Sequence, residues 1–152
     1  MTATSVDRVP RNTDAEINRR ILQATAARIR ALAAHPKKIE RRLRELDEEW
    51  DIERVLQANA AALMFSGTVL GATINKRWLT LPALVGAFLF QHAVQGWCPP
   101  VPILRRLGFR TPREIDEERV ALKALRGDFG PIGPGKGERD TKAEHALQAA
   151  RL

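Results

Sequence analysis

Apolar positions along the chain change their spacing several times, and each change marks an expected element. From Asp14 to Ala33, Ile17, Ile21, Ile29 and Leu32 recur at roughly helical spacing with arginines between them, as in a helix with one buried stripe. His35-Pro36 interrupts that helix, because the residue before a proline is pushed out of the helical region. A second stripe follows, Ile39, Leu43, Leu46 and Trp50, at spacings of four, three and four. Opposite charges four residues apart, Glu40/Arg44, Arg41/Glu45 and Arg44/Glu48, support an exposed face on this second helix. It is expected to run on into the next segment. The two stripes suit packing on each other or on a second copy; adsorption to lipid headgroups is the alternative, weakened by the glutamates.

Charge then disappears. Between Arg54 and Lys76 lie 21 residues without an acid or base, and between Arg77 and Arg105 lie 27 more. As a helix the first stretch spans roughly 31 Å, close to the ~30 Å hydrocarbon thickness of a bilayer. The second reaches that length by about Trp97, where the prolines at 99 and 100 are expected to end it. Only Asn75, Lys76 and Arg77 separate the two, which suits a tight helical hairpin. Trp78 and Trp97 fall near opposite ends of the second stretch, where indole rings favour the interface. Gln57, Asn59, Gln91, His92 and Gln95 lower the hydropathy and admit a buried soluble pair instead. A soluble core helix, however, carries a charged outer face, and these two have none. Six basic residues lie within 20 positions before the first stretch, four lie within 20 after Val94, and two occupy the connection. That asymmetry places both termini in the cytoplasm.

The C-terminal arm opens on "TPRE". Thr111 can cap a helix, Pro112 suits its first position and Glu114 can close a capping box. Acids at 114, 116, 117 and 118 and bases at 123 and 126 complement the helix dipole, and Gly127 offers a stop. "GDFGPIGPGKGERD" reads as a flexible linker, with a short alanine-rich helix from Lys142 to Ala150. Gly130, Gly135 and Lys136 imitate part of a phosphate-binding loop. Gly137 stands where a Ser/Thr is required and no strand precedes it, so the imitation carries no weight.

Composition narrows the classes further. The net charge of +7 is spread along all 152 residues with acids interleaved, so there is no dense basic patch and nucleic acid is not expected as a partner. One cysteine excludes an intrachain disulfide or a multi-cysteine metal site and fits a reducing compartment. Arginines interrupt the first 30 residues, so no signal-peptide core is expected there. No cofactor is implied by any motif. The expected fold is all-α: an integral membrane hairpin of two transmembrane helices with amphipathic cytoplasmic helices on both sides. Its segments are a flexible N-terminus (1–13), a helical arm (14–54), the hairpin (55–98), a second helical segment (99–127) and a flexible tail with a short helix (128–152).

"GTVLG" in the first stretch and "GWCP" closing the second resemble the YgaP-like inner-membrane transmembrane domain family of bacteria. That family is a two-helix hairpin with a G-x-C-P signature after the second helix, here Gly96, Cys98 and Pro99. The likeness covers about Arg54 to Gly108. In the namesake the hairpin is fused to a rhodanese-type sulfurtransferase domain, and the hairpin is thought to dimerise. No segment here alternates strands with helices, and no second cysteine supplies the rhodanese nucleophile, so the resemblance does not bring sulfur transfer with it.

Folding the hairpin about residue 76 brings Gln57, Asn59, Gln91, His92 and Gln95 into its cytoplasmic half as an intramembrane polar cluster, and puts Cys98 level with Arg54. An arginine there would favour the thiolate. Cys98 is thus a candidate thiol, with Arg54 and His92 beside it, against the simpler reading of a small residue where the chain turns out of the membrane. His92 with Cys98 as metal or haem ligands is the weakest option. Gly67 and Gly71 form a small face that either mediates a dimer or receives the second helix near Gly86. The leading expectation is a non-enzymatic inner-membrane protein, a homo-oligomer or an accessory subunit of a larger membrane complex whose arms meet partners. A thiol carrier or redox site using Cys98 is the alternative, and a soluble basic helical binding protein comes third.

Overall fold

The computed structural model describes residues 8–130. Gly135, Lys136, Gly137 and the expected helix from Lys142 to Ala150 lie outside the described residues. Among those described, every regular element is helical: α1 (Arg8–Arg11), α2 (Ala15–Ala33), α3 (Ile39–Glu48), α4 (Ile52–Thr73), α5 (Thr80–Gln95), α6 (Val101–Arg106) and α7 (Pro112–Arg126). Short 3-10 turns cover Pro36–Lys38 and Lys76–Leu79.

Helix ends follow local chemistry. The break at His35-Pro36 falls where the sequence places it. Expected continuity from α3 into α4 is not found: Glu49 is extended, and the Asp51 side chain caps α4 by accepting the Arg54 N–H at 2.9 Å. Trp50, expected to prolong the α3 stripe, sits in that break and is 46% exposed. α5 stops earlier than the prolines require, because Gly96 takes φ +75° and returns its N–H to the His92 carbonyl at 2.7 Å. The "TPRE" box forms as read. Thr111 N–H donates to Glu114 at 2.8 Å and Glu114 N–H to Thr111 Oγ1 at 3.3 Å. Gly127 ends α7 at φ +91°.

The chain divides into two compact units, neither a single run of sequence. Among the described residues the first comprises 8–23 and 50–114, the second 24–49 and 115–130. The arm read as 14–54 and the segment read as 99–127 therefore each supply residues to both.

In the first unit α4 and α5 run antiparallel across the Lys76–Leu79 turn. Its core joins Val9, Ile52, Leu56, Cys98 and Val101, with Phe88, Leu89, Leu104 and Phe109 against them. Each fully buried aliphatic side chain there contributes about 1.5–3 kcal/mol. Residues 8–11, within the N-terminus expected to be flexible through residue 13, form α1 and put Val9 in this core. In the second unit Ile39, Leu43 and Leu46 of α3 bury against Ile115 and Leu122 of α7, with Leu32 of α2 alongside. The α3 stripe thus packs on α7 as well as on α2. Beside it the fully buried Glu118 carboxylate accepts from Arg42 Nε at 2.9 Å and Arg28 Nη2 at 3.1 Å.

Candidate functional site

Chemistry-bearing residues of the first unit gather where α5 ends and α4 begins. Gly96 has two roles there. Its positive φ turns the chain, and a Cβ at this position would lie 2.8 Å and 2.9 Å from the Arg8 carbonyl carbon and Cα. Only glycine lets α1 approach so closely. Arg8 then donates to the Ala93 carbonyl and Asn12 Nδ2 to the Gln95 carbonyl at 3.0 Å. Two carbonyls left open at the end of α5 are thereby satisfied by the N-terminal segment.

Cys98 lies three residues beyond α5 and is 5% exposed, enclosed by Val9, Ile52, Leu56 and Val101. Burial pushes its thiol pKa up, opposite to the activation that a neighbouring arginine would provide. Arg54 is not that neighbour. Its guanidinium lies over the exposed Trp50 ring, 4.3 Å from the centroid. The sequence-based pairing of Cys98 with Arg54 is thus replaced by an apolar enclosure on one side and a cation–π contact on the other.

The five polar residues do not converge either. His92 is buried and meets Glu53 Oε2 at 2.8 Å through Nε2, while its Nδ1 is buried without a hydrogen-bond partner. Asn59 turns back to the Val55 carbonyl at 2.9 Å. Gln91 and Gln95 approach each other at 3.5 Å along one helix, and Gln57 is exposed. Glu53 was missed because it precedes the uncharged stretch. Its place 39 positions before His92, at the facing end of an antiparallel pair, was the available signal. No group of three or more His, Cys, Asp or Glu that could hold a metal occurs among the described residues.

The glycines divide by role. A Cβ on Gly67 would meet Pro82 Cδ at 2.7 Å and one on Gly71 would meet Leu79 Cγ at 2.7 Å, so Gly67 receives the chain's own second helix and Gly71 the turn that leads into it. Gly86 is looser, with Met64 Cε 3.9 Å from its virtual Cβ. An apolar cleft of about 250 Å³ remains between α4 and α5, lined chiefly by Leu56, Ala60, Leu63, Val85, Phe88 and Cys98.

Sequence reasoning also missed the wholly buried Arg105 side chain. Its guanidinium holds Glu114 by two bonds of 2.6 Å and 2.8 Å, Asn18 Oδ1 at 2.8 Å and the Phe109 carbonyl at 3.1 Å. Glu114, desolvated yet bonded to Arg105 and Thr111, has its pKa held below the usual carboxylate value.

These features define a class before a family: among the described residues the regular structure is all helical, with one helical stretch, ending at Thr73, long and apolar enough to cross a membrane. Residues 51–113 match the family model described as inner membrane protein YgaP-like, transmembrane domain. The resemblance carried by "GTVLG" and "GWCP" is therefore borne out over this segment, which is similar to the transmembrane domain of that family. The match runs from the capping Asp51 of α4 into the first turn of α7, and it favours the membrane reading over the soluble one. Neither a curated protein nor a solved structure matches the chain.

Proposed function

We propose that this is a non-enzymatic inner-membrane protein in which α4 and α5 both cross the bilayer, while the other helices stand in the cytoplasm and engage a protein partner. A homo-oligomer or an accessory role in a larger membrane complex fits that design. The supporting observation is the outward surface of the pair. Leu63, Phe65, Val69, Leu84, Phe90 and Val94 are all large, apolar and exposed, while glycines and Ala60 are buried inside. Water would penalise so large an apolar surface; lipid accepts it, and close backbone packing then holds the helices together. The 22 residues of α4 reach about 33 Å and the 16 of α5 about 24 Å. Trp78 before α5 and Trp97 after it extend the shorter span towards both interfaces, and modest local thinning covers the difference. The ten-to-two basic asymmetry sets both termini inside.

Two measurements test this reading. Alkaline carbonate should leave the protein in the membrane pellet. A reporter fused after Leu152 should behave as cytoplasmic and one inserted at Lys76 as periplasmic. Release by carbonate would refute membrane insertion, and a cytoplasmic signal at Lys76 would refute the second crossing.

A further inference from the structure

We propose that α6 is an interfacial anchor, whose face formed by Ile103 and Leu107 and continued by Trp97 lies in the headgroup layer of the bilayer. This rests on the membrane reading above and adds a second contact with lipid outside the spanning helices. Core packing fixes the rotation of α6, because Val101 and Arg105 are buried to 0% and 1% exposure. At the helical advance of about 100° per residue, Ile103 and the capping Leu107 point the opposite way. They are 61% and 70% exposed. Two large aliphatic side chains one turn apart on a six-residue helix cover nothing in the fold.

Continuity with the lipid-facing surface identifies the occupant. Val94 and Trp97 are exposed at the end of α5, and Pro99 and Pro100 are exposed after it, so exposed apolar side chains recur from α5 to α6 with Gln95 as the one exposed polar residue among them. Prolines lack an N–H donor and demand no water there. The exposed Arg106 flanks the same face and suits the phosphates of anionic headgroups. An apolar face with an indole beside it and a cation at its edge is the composition of a helix lying in the interface. The chain therefore leaves α5 along the membrane surface.

Depth-dependent quenching tests this. In the full chain carrying Cys98→Ala, an environment-sensitive fluorophore is attached at Ile103→Cys, Leu107→Cys or, as reference, Phe90→Cys. Each is reconstituted in phosphatidylethanolamine/phosphatidylglycerol vesicles. Labels at 103 and 107 should emit at shorter wavelength than in water and be quenched most by a nitroxide near the headgroup. The label at 90 should be quenched most by a nitroxide deep in the acyl chains. Water-like emission at 103 and 107 with a lipid-buried label at 90 would overturn the anchor and leave the membrane reading intact. A label at 90 that is also water-like would overturn both. Short-wavelength emission at 103 and 107 without lipid quenching, together with crosslinking to a second copy, would assign the face to protein and reject the proposal. Should Cys98→Ala not fold, the native cysteine is kept, Trp50, Trp78 and Trp97 are changed to Phe and the probe is Ile103→Trp; its emission should then be quenched from headgroup depth, and no quenching would count against the anchor.

Discussion

Truncating Arg105→Ala should destabilise the first unit by about 3–5 kcal/mol, the cost of breaking a buried ion pair and stranding one partner. The size follows from what the guanidinium holds together. It is fully buried and donates four bonds, joining α6, α2 through Asn18, the loop carbonyl of Phe109 and the capping residue of α7. Without it Glu114 keeps the Thr111 N–H but loses both charged donors, in a place where its side chain is only 20% exposed. The assay is denaturant unfolding of the full chain in detergent, followed by tryptophan emission, since Trp50, Trp78 and Trp97 all lie in this unit.

Linkage sharpens the test. The Glu114 carboxyl is depressed in the folded protein, so its stabilisation is fully present above the ordinary carboxylate pKa of about 4.3. It is lost as pH falls through the depressed value. Glu114→Gln should therefore flatten the acid limb of the stability profile while costing stability at neutral pH. Arg105→Met with Glu114→Leu should recover much of the loss, because no buried charge is then stranded. A cost below about 1 kcal/mol for Arg105→Ala, the scale of an exposed pair, would refute the reasoning.

Gly67→Ala should lower the melting temperature in detergent, an overpacking cost of about 1–3 kcal/mol, because its new Cβ would sit 2.7 Å from the rigid Pro82 ring. Gly86→Ala, with 3.9 Å of room, serves as control and should be neutral or slightly stabilising; equal effects at the two sites would reject the packing assignment. Cys98 should alkylate more slowly at neutral pH than an exposed cysteine, and Val9→Ser should speed the reaction by loosening its cover; fast alkylation of the unaltered chain would contradict the apolar enclosure. In the second unit Glu118→Ala should cost about 1.5–3 kcal/mol through lost charged hydrogen bonds to Arg28 and Arg42, and amide exchange in α7 unchanged by the substitution would show that the carboxylate does not hold the helices together.

What the sequence made legible was local. The proline break after α2, the capping box at Thr111–Glu114 and the uncharged stretches each need only neighbours within one or two turns. One local signal was available and went unread: Asp51 as a helix cap ahead of an apolar run. The remaining gaps depend on long-range partners. Asn18 and Arg105 are 87 positions apart, and Arg8 and Ala93 are 85 apart. Periodicity reports which face a residue occupies but not what lies opposite it, so Arg105 could not be assigned its carboxylate. The depth comparison about residue 76 put Cys98 and Arg54 at one level, yet level is not azimuth. Arg54 points outward to Trp50, and Cys98 points into the core.

Why a lone thiol occupies "GWCPP" has an answer in packing and backbone geometry. Gly96 supplies a left-handed turn and clears space for Arg8. Two residues later the carbonyl of Cys98 accepts the Val101 N–H at 2.9 Å, closing the turn that leads into α6. Pro99 and Pro100 fix φ where the chain changes direction, and Pro100 leads directly into α6, where the missing N–H is harmless. The side chain at 98 must then be small enough to fit under Val9 and apolar enough to bury between Ile52 and Val101. Cysteine meets both conditions as a compact, weakly polar residue. Serine would bring a hydroxyl with no partner into that enclosure. The signature thus joins three tasks within five residues: ending α5, seating the N-terminal segment and starting the helix that carries Ile103 and Leu107.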